Sequence, residues 1–111
     1  MNFDELGWIR VGGFHVSVVD GTEALEYQSL DGAWLGSEHL IQIRTNIDPQ
    51  SQAETLVHEI CHAINAVYLE PCELTEAVIA LFSEGLFQVI VDNPQLLAEI
   101  VRCAEEGDNA D

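Results

Sequence analysis

The sequence predicts an α+β domain in which a small antiparallel sheet of three to four strands packs on three helices. Three observations carry this expectation. Up to residue 47, apolar and polar side chains alternate, the period of a strand. From residue 48 onward, apolar residues recur at three- and four-residue spacing, the period of a helix. Between the halves stands Asp48-Pro49, a helix-start signal in which proline takes the first helical position. With 111 residues, 48% of them hydrophobic, the chain suits a single domain with its own core. Residues 1–47 are expected as mostly strands, 48–106 as helices and 107–111 as a frayed acidic tail.

The first strand pair is "WIRVGGFHVSVVD", joined by Gly12-Gly13, a dipeptide that can supply positive φ at both centres of a two-residue turn. Phe14, Val16 and Val18 share one face, and His15 and Ser17 share the other. "DGTEALEYQSLDG" suits either a short helix or an irregular loop. "GAWLGSEHLIQIRTN" reads as a second strand pair that turns near Gly36-Ser37-Glu38. The first long helix then starts at Asp48, with Ser51 and Glu54 as an alternative capping box, and runs to about Tyr68, before Pro71. The second spans about Leu74 to Val91. Asn93-Pro94 repeats the start signal for a third helix that ends near Glu105.

The charge is lopsided. Twenty acidic residues face three basic ones, Arg10, Arg44 and Arg102, for a formal charge of −17. Such a surface opposes direct nucleic-acid binding, which needs cationic contacts. It favours solubility and attracts cations and basic partners. It also suits a surface that imitates the phosphates of nucleic acid, or one adapted to a salty cytoplasm. "MNFDELGW" has neither a basic nor an apolar leader region, and "AVIALFSEGLFQVIV" is interrupted by Glu84 and Gly85. Both point to a cytoplasmic protein without a membrane span. Cys61, Cys72 and Cys103 form no CxxC pair and are expected as free thiols, most of them small core residues.

The chemistry gathers in "TLVHEICHAIN", residues 55–65. Four residues advance a helix by one turn and about 40°, so His58 and His62 stack on one face. Two imidazoles so placed can hold Zn²⁺ in two of its tetrahedral positions. Glu59, about 100° from His58 and about 60° from His62 around the helix, is placed to take a proton from a water at the metal. Leu56, Ile60, Ala63, Ile64 and Val67 form an apolar stripe, while Ser51, Thr55, His58, His62 and Asn65 form a separate polar seam. A catalytic zinc needs a third protein ligand and an open position. In the longer pattern HExxHxxGxxH the glycine and third histidine positions hold Asn65 and Tyr68, so the ligand must come from elsewhere. Glu70, Glu73, Glu76 and Glu84 are within reach in sequence. Glu76 is the choice, because Ala80 and Ser83 on its face let the second helix approach the first closely, whereas Glu84 is about 80° off that face. His39 and Tyr68 are candidates for the cleft or for stabilising an oxyanion. His15 is expected as an exposed strand residue.

"TLVHEICHAIN" followed by "LTEAVIALFSEGLFQVIVDNP" resembles the small HExxH zinc metallopeptidases encoded by phages and prophages. These are similar in plan to the gluzincin-like ImmA/IrrE group. The resemblance covers about residues 33 to 98 and implies a minimal zincin-like domain of phage or prophage origin. It implies that His58, His62 and Glu76 are zinc ligands and that Glu59 is the general base.

These readings converge on a zinc-dependent peptidase acting on peptide or protein substrates, basic ones being favoured by the negative field. The strand that ends near Arg44 is expected to pair with extended substrate. A rival class is an acidic interaction or inhibitor protein with structural or vestigial zinc, directed at a basic host protein. A third is a metal hydrolase acting on an amide in a small molecule.

Overall fold

The computed structural model describes residues 1–68 and 74–109. It is an α+β fold: a four-stranded sheet with five helices, three of them long. The chain runs through α1 (Phe3–Leu6), β1 (Trp8–Val11), β2 (Phe14–Asp20), α2 (Thr22–Tyr27), β3 (Gly32–Leu35), β4 (Leu40–Ile43), α3 (Pro49–Tyr68), α4 (Glu76–Asp92) and α5 (Pro94–Asn109). Two short helices, α1 and α2, join the three that periodicity marks. The ambiguous segment after β2 is thus helical, and its Leu25 is fully buried.

The expected hairpin pairs β1 with β2, from Trp8↔Ser17 to Val11↔Phe14. Only Gly12 has positive φ, at 59°, the signature of a II′ turn rather than of positive φ at both centres. Gly12 also has a packing reason. A Cβ there would lie 2.7 Å from Val67 Cγ1 and 3.3 Å from the Tyr68 hydroxyl. The hairpin tip therefore rests on the last turn of α3.

The sheet is mixed, with order β1-β2-β4-β3, and not antiparallel as expected. β3 and β4 form the predicted antiparallel pair, turning through a 3₁₀ segment at Gly36–Glu38. β4, however, returns between β3 and β2 and runs parallel to β2, with Val18 opposite Ile41. Alternation records which residues face the core and leaves strand direction open. The direction is set by the long connection through α2 and β3, which carries the chain to the far edge before it turns back.

α3 covers one face of the sheet. Val11, Val16, Val18, Ile41, Ile43 and Ala63 form the buried cluster, with Leu56, Ile60 and Val67 of α3 packed against it. Ile64, assigned to the same stripe, is instead 39% exposed. Cys61 is buried, as a small core residue should be; Cys103 is exposed, and Cys72 lies outside the described residues.

Asp48 caps α3, accepting from the Ser51 backbone N–H at 3.0 Å and the Ser51 hydroxyl at 2.7 Å. It therefore takes the role left open between Asp48 and Ser51. Thr75 caps α4 by accepting from the Val78 N–H. Asn93 does not serve as predicted. Its side chain donates back to the Val89 carbonyl at 2.9 Å and so closes α4, while its backbone carbonyl receives Leu96 N–H of α5. α5 continues to Asn109, through the first part of the stretch expected as tail. Among the described residues, no single helix is long and apolar enough to cross a membrane.

Candidate metal centre

Helical geometry brings His58 and His62 together as the sequence requires, with ring centroids 4.9 Å apart. Their Nε2 atoms approach to 3.2 Å. Glu76, the first residue of α4, reaches both: one carboxylate oxygen lies 2.9 Å from His58 Nε2 and the other 2.7 Å from His62 Nε2. Three donor groups from two helices thus face one point. A four-coordinate cation with bonds of about 2.0–2.1 Å would hold its ligand atoms about 3.3 Å apart, close to these separations. With both Nε2 atoms bare, the two imidazoles and the carboxylate repel at this distance unless a cation lies between them; a proton on Nε2 instead makes each histidine–carboxylate contact an ordinary hydrogen bond.

The approach of α4 depends on small residues. Ser83 is 4% exposed, and its hydroxyl makes two contacts, to the Ala80 carbonyl at 3.1 Å and to His58 Nδ1 at 3.3 Å. A serine hydroxyl has one proton. Given to the Ala80 carbonyl, it leaves the oxygen to accept from His58 Nδ1–H. That arrangement goes with the tautomer whose bare Nε2 faces Glu76 and His62, the one that outer partners of ligating histidines select. Sequence spacing places Ser83 two turns after Glu76 but carries no sign of this hydrogen bond. At the other end of the polar seam, Asn65 Oδ1 accepts from Leu74 N–H at 3.0 Å, tying α3 to the approach of α4.

Glu59 stands beside the pair. Its acceptor atoms and those of the two histidines lie within 4.8 Å of one another, the arrangement of a group able to hold a metal ion. Glu76 contacts both Nε2 atoms directly through its two oxygens, and both Glu59 and Glu76 line the cleft. Glu59 is only 7% exposed and takes no hydrogen bond among the described residues. Burial pushes its carboxyl above the usual range; the neighbouring His62 and His58 pull the other way, and Glu76 adds to the rise. A carboxyl so raised moves toward the poise of a proton acceptor working near neutrality.

A cleft of about 680 Å³ opens between α3, α4 and the start of β3. His58, Glu59, Glu76 and Ser83 line it. Gly32 of β3 forms its opposite wall. A Cβ on Gly32 would meet Thr55 Cγ2 at 2.4 Å and Glu59 Cγ at 3.2 Å. Glycine is what lets the edge strand lie against the floor of the site. Nothing in sequence pattern alone singles out this glycine.

Several expectations need correction. β4, which ends near Arg44, is paired on both sides, by β2 and β3. The free edge beside the cleft belongs to β3. His39 lies outside the cleft. It adopts φ 49° at the β3–β4 turn, its ring 4.5 Å from Phe14 and 6.4 Å from Trp34. Tyr68 lies outside as well, its hydroxyl turned toward the Gly12 hairpin. His39 precedes β4 and Tyr68 ends α3, and in this topology those positions border the hairpin and the sheet corner. His15 is exposed as expected and stacks on Trp8, with centroids 3.8 Å apart. Glu84 lines the cleft rather than the donor cluster. Glu70 and Glu73 lie outside the described residues.

Comparison with protein-family models, with curated proteins and with solved structures found no match.

Proposed function

We propose that the chain is a zinc-dependent peptidase of gluzincin-like plan, working in the cytoplasm of the host cell of a phage or prophage. His58, His62 and Glu76 hold the ion. The observation that carries this reading is the meeting of three donors from α3 and α4 beside Glu59, a 7% exposed residue that lines the cleft and has no hydrogen-bond partner among the described residues. Two imidazoles and one carboxylate with an open fourth side are the donor set of catalytic zinc in several peptidases. When bound, zinc supplies Lewis acidity, lowering the pKa of a water toward 7 and polarising a carbonyl. Glu59 takes the proton of the attacking water and delivers it to the leaving amine. Ser83 holds the His58 ring in register through Nδ1. The unpaired edge of β3 offers main-chain hydrogen bonds to an extended peptide lying over Gly32.

The test is Glu59→Gln. The variant should keep about one zinc per chain by elemental analysis, as the wild type does, and lose hydrolysis of a peptide library by a factor on the order of 10² to 10⁴. Hydrolysis equal to wild type would remove Glu59 from its role.

A second reading has its own observation. α4 exposes Val78, Leu81, Phe82 and Val89 on its outer side, and the chain carries a charge of −17. On that reading the protein is an acidic inhibitor with structural zinc that docks on a basic host protein. Such binding would weaken with added salt and be indifferent to Glu59→Gln.

A further inference from the structure

We propose that the cleft beyond Glu59 is a subsite for a lysine or arginine side chain, so that the substrate is a peptide with a cationic residue close to the bond presented to Glu59. This rests on the peptidase reading and adds the substrate class to it.

The argument starts from what lines the cleft. Apart from Glu59 and Glu76, its acidic residues are Asp31, Glu54 and Glu84. No arginine lines it, and the chain has no lysine. The three arginines are engaged elsewhere. Arg10 Nε donates to the Gly12 carbonyl at the hairpin tip, and Arg44 Nε donates to Asn46 Oδ1 at 2.6 Å. Arg102 pairs with Glu99 and Glu106 on α5. No lysine or arginine of the protein therefore neutralises the cleft, and the His58 and His62 imidazoles face Glu76. Its floor makes an independent demand: Glu59 is more than nine-tenths buried, lines the cleft and has no hydrogen-bond partner among the described residues.

The apolar parts of the lining refine the ligand. Leu30 and the half-buried Phe87 stand beside the carboxylates. A long cationic side chain has a hydrocarbon stem that can lie on such residues while its head stays among carboxylates. An aromatic face adds attraction for the cation. A purely apolar side chain would use Leu30 and Phe87 but leave three carboxylates partly desolvated beside it. An acidic side chain would meet like charge on every side.

Exposed ion pairs are individually weak. Two or three acting together give a preference of roughly tenfold for lysine over leucine. The experiment uses full-length, zinc-loaded Glu59→Gln, which binds without turnover, and wild type for cleavage. The probes are fluorescein-labelled octapeptides of identical composition and net charge. In one the single lysine adjoins the central amide, in a second it sits at the far end, and in a third leucine and lysine exchange places. Binding is read by fluorescence anisotropy and cleavage by mass spectrometry. Tighter binding of the adjoining-lysine peptide by about tenfold is expected. The preference should shrink in 0.5 M salt and vanish when Asp31→Asn, Glu54→Gln and Glu84→Gln are combined, all three being exposed positions whose amides preserve shape. Equal binding of the three peptides, binding of none, or a preference that survives the triple substitution overturns the subsite. Cleavage without positional preference leaves the peptidase standing and removes the subsite. Charge-selective binding with no cleavage by wild type keeps the subsite and removes the peptidase.

Discussion

Gly32→Ala probes the contact between the edge strand and the floor of the cleft. The new methyl carbon would stand 2.4 Å from Thr55 Cγ2 and 3.2 Å from the Gln42 carbonyl oxygen, where carbon atoms settle at about 3.5–4.0 Å. Gln42 belongs to β4, so its carbonyl cannot retreat without opening the sheet; Gly32 itself is held opposite Ile43. The strain must be relieved by moving α3 away by about 1 Å. Overpacking of this kind costs about 2–3 kcal/mol. Gly32 does not have positive φ, so alanine is conformationally acceptable there and stiffens the unfolded chain, which returns about 0.5–1 kcal/mol. The net loss is about 1–2.5 kcal/mol. In a chain of this size that lowers Tm by roughly 4–10 °C. Thermal melts followed by circular dichroism measure it. Thr55→Ser deletes the colliding methyl and should recover at least half of the loss in the double variant, a coupling that a double-mutant cycle isolates. A Gly32→Ala protein melting within about 1 °C of wild type, or no recovery on adding Thr55→Ser, refutes the packing argument.

Other outcomes follow from the same geometry. Ser83→Ala removes the acceptor that orients His58 Nδ1 and should weaken zinc binding about 10- to 100-fold. Competition with a chromogenic chelator reads this, and an unchanged affinity would deny Ser83 its orienting role. The Asp48 carboxyl is held below its ordinary value, first by the Ser51 hydroxyl and then by the Ser51 backbone N–H. Because the folded value lies below the unfolded one, the stabilisation is present above about pH 4 and is lost as pH falls through the folded value. The stability difference between wild type and Asp48→Ala, measured by urea melts, should therefore narrow below pH 4. A difference constant to pH 2 would contradict the cap.

What the sequence disclosed, and what it withheld, follows from the range of each signal. Strand period, helix period and the Asp48-Pro49 start are local, and they place β1 to β4 and α3 within a residue or two. The facing of His58 and His62 is also local, since one helical turn decides it. The nearness of Glu76 to the two histidines is legible because Ala80 and Ser83 mark the side of α4 that faces α3. Three features depend on chain segments far apart. The parallel pairing of β2 with β4 is set by a connection whose path alternation does not encode. The close passage of Gly32 over Thr55 joins residues 23 apart. The misplacement of His39 and Tyr68 has the same origin, because both sit at element ends whose neighbours only the topology decides. Asn93 shows a smaller ambiguity: a residue between two helices can cap either, and here its side chain turns back to Val89.

The exposure of α4 gives the proposed metal a second task. Of its seventeen residues only Ile79 and Ser83 are buried, and Leu81 and Phe82 are 72% and 65% exposed. Few side chains of α4 are buried against the rest of the fold, yet the proposed donors are split between the two helices, two on α3 and one at the first residue of α4. An ion held by His58, His62 and Glu76 is thus also a cross-link between helices, and its binding free energy adds to the stability of the pair. At a free zinc concentration one hundred times the dissociation constant the gain is about 2.7 kcal/mol, which raises Tm by roughly 10 °C in a chain of this size. Glu76→Ala leaves the two histidines on one helix. Zinc then has no ligand on α4 and should give only a small part of that shift, although Glu76 is itself two-thirds exposed and its loss should disturb the fold little. Calorimetric scans with and without zinc on both proteins decide the matter. An equal rise in Tm for Glu76→Ala and wild type would mean that the ion does not bridge the helices, and the three-donor centre would fall with it.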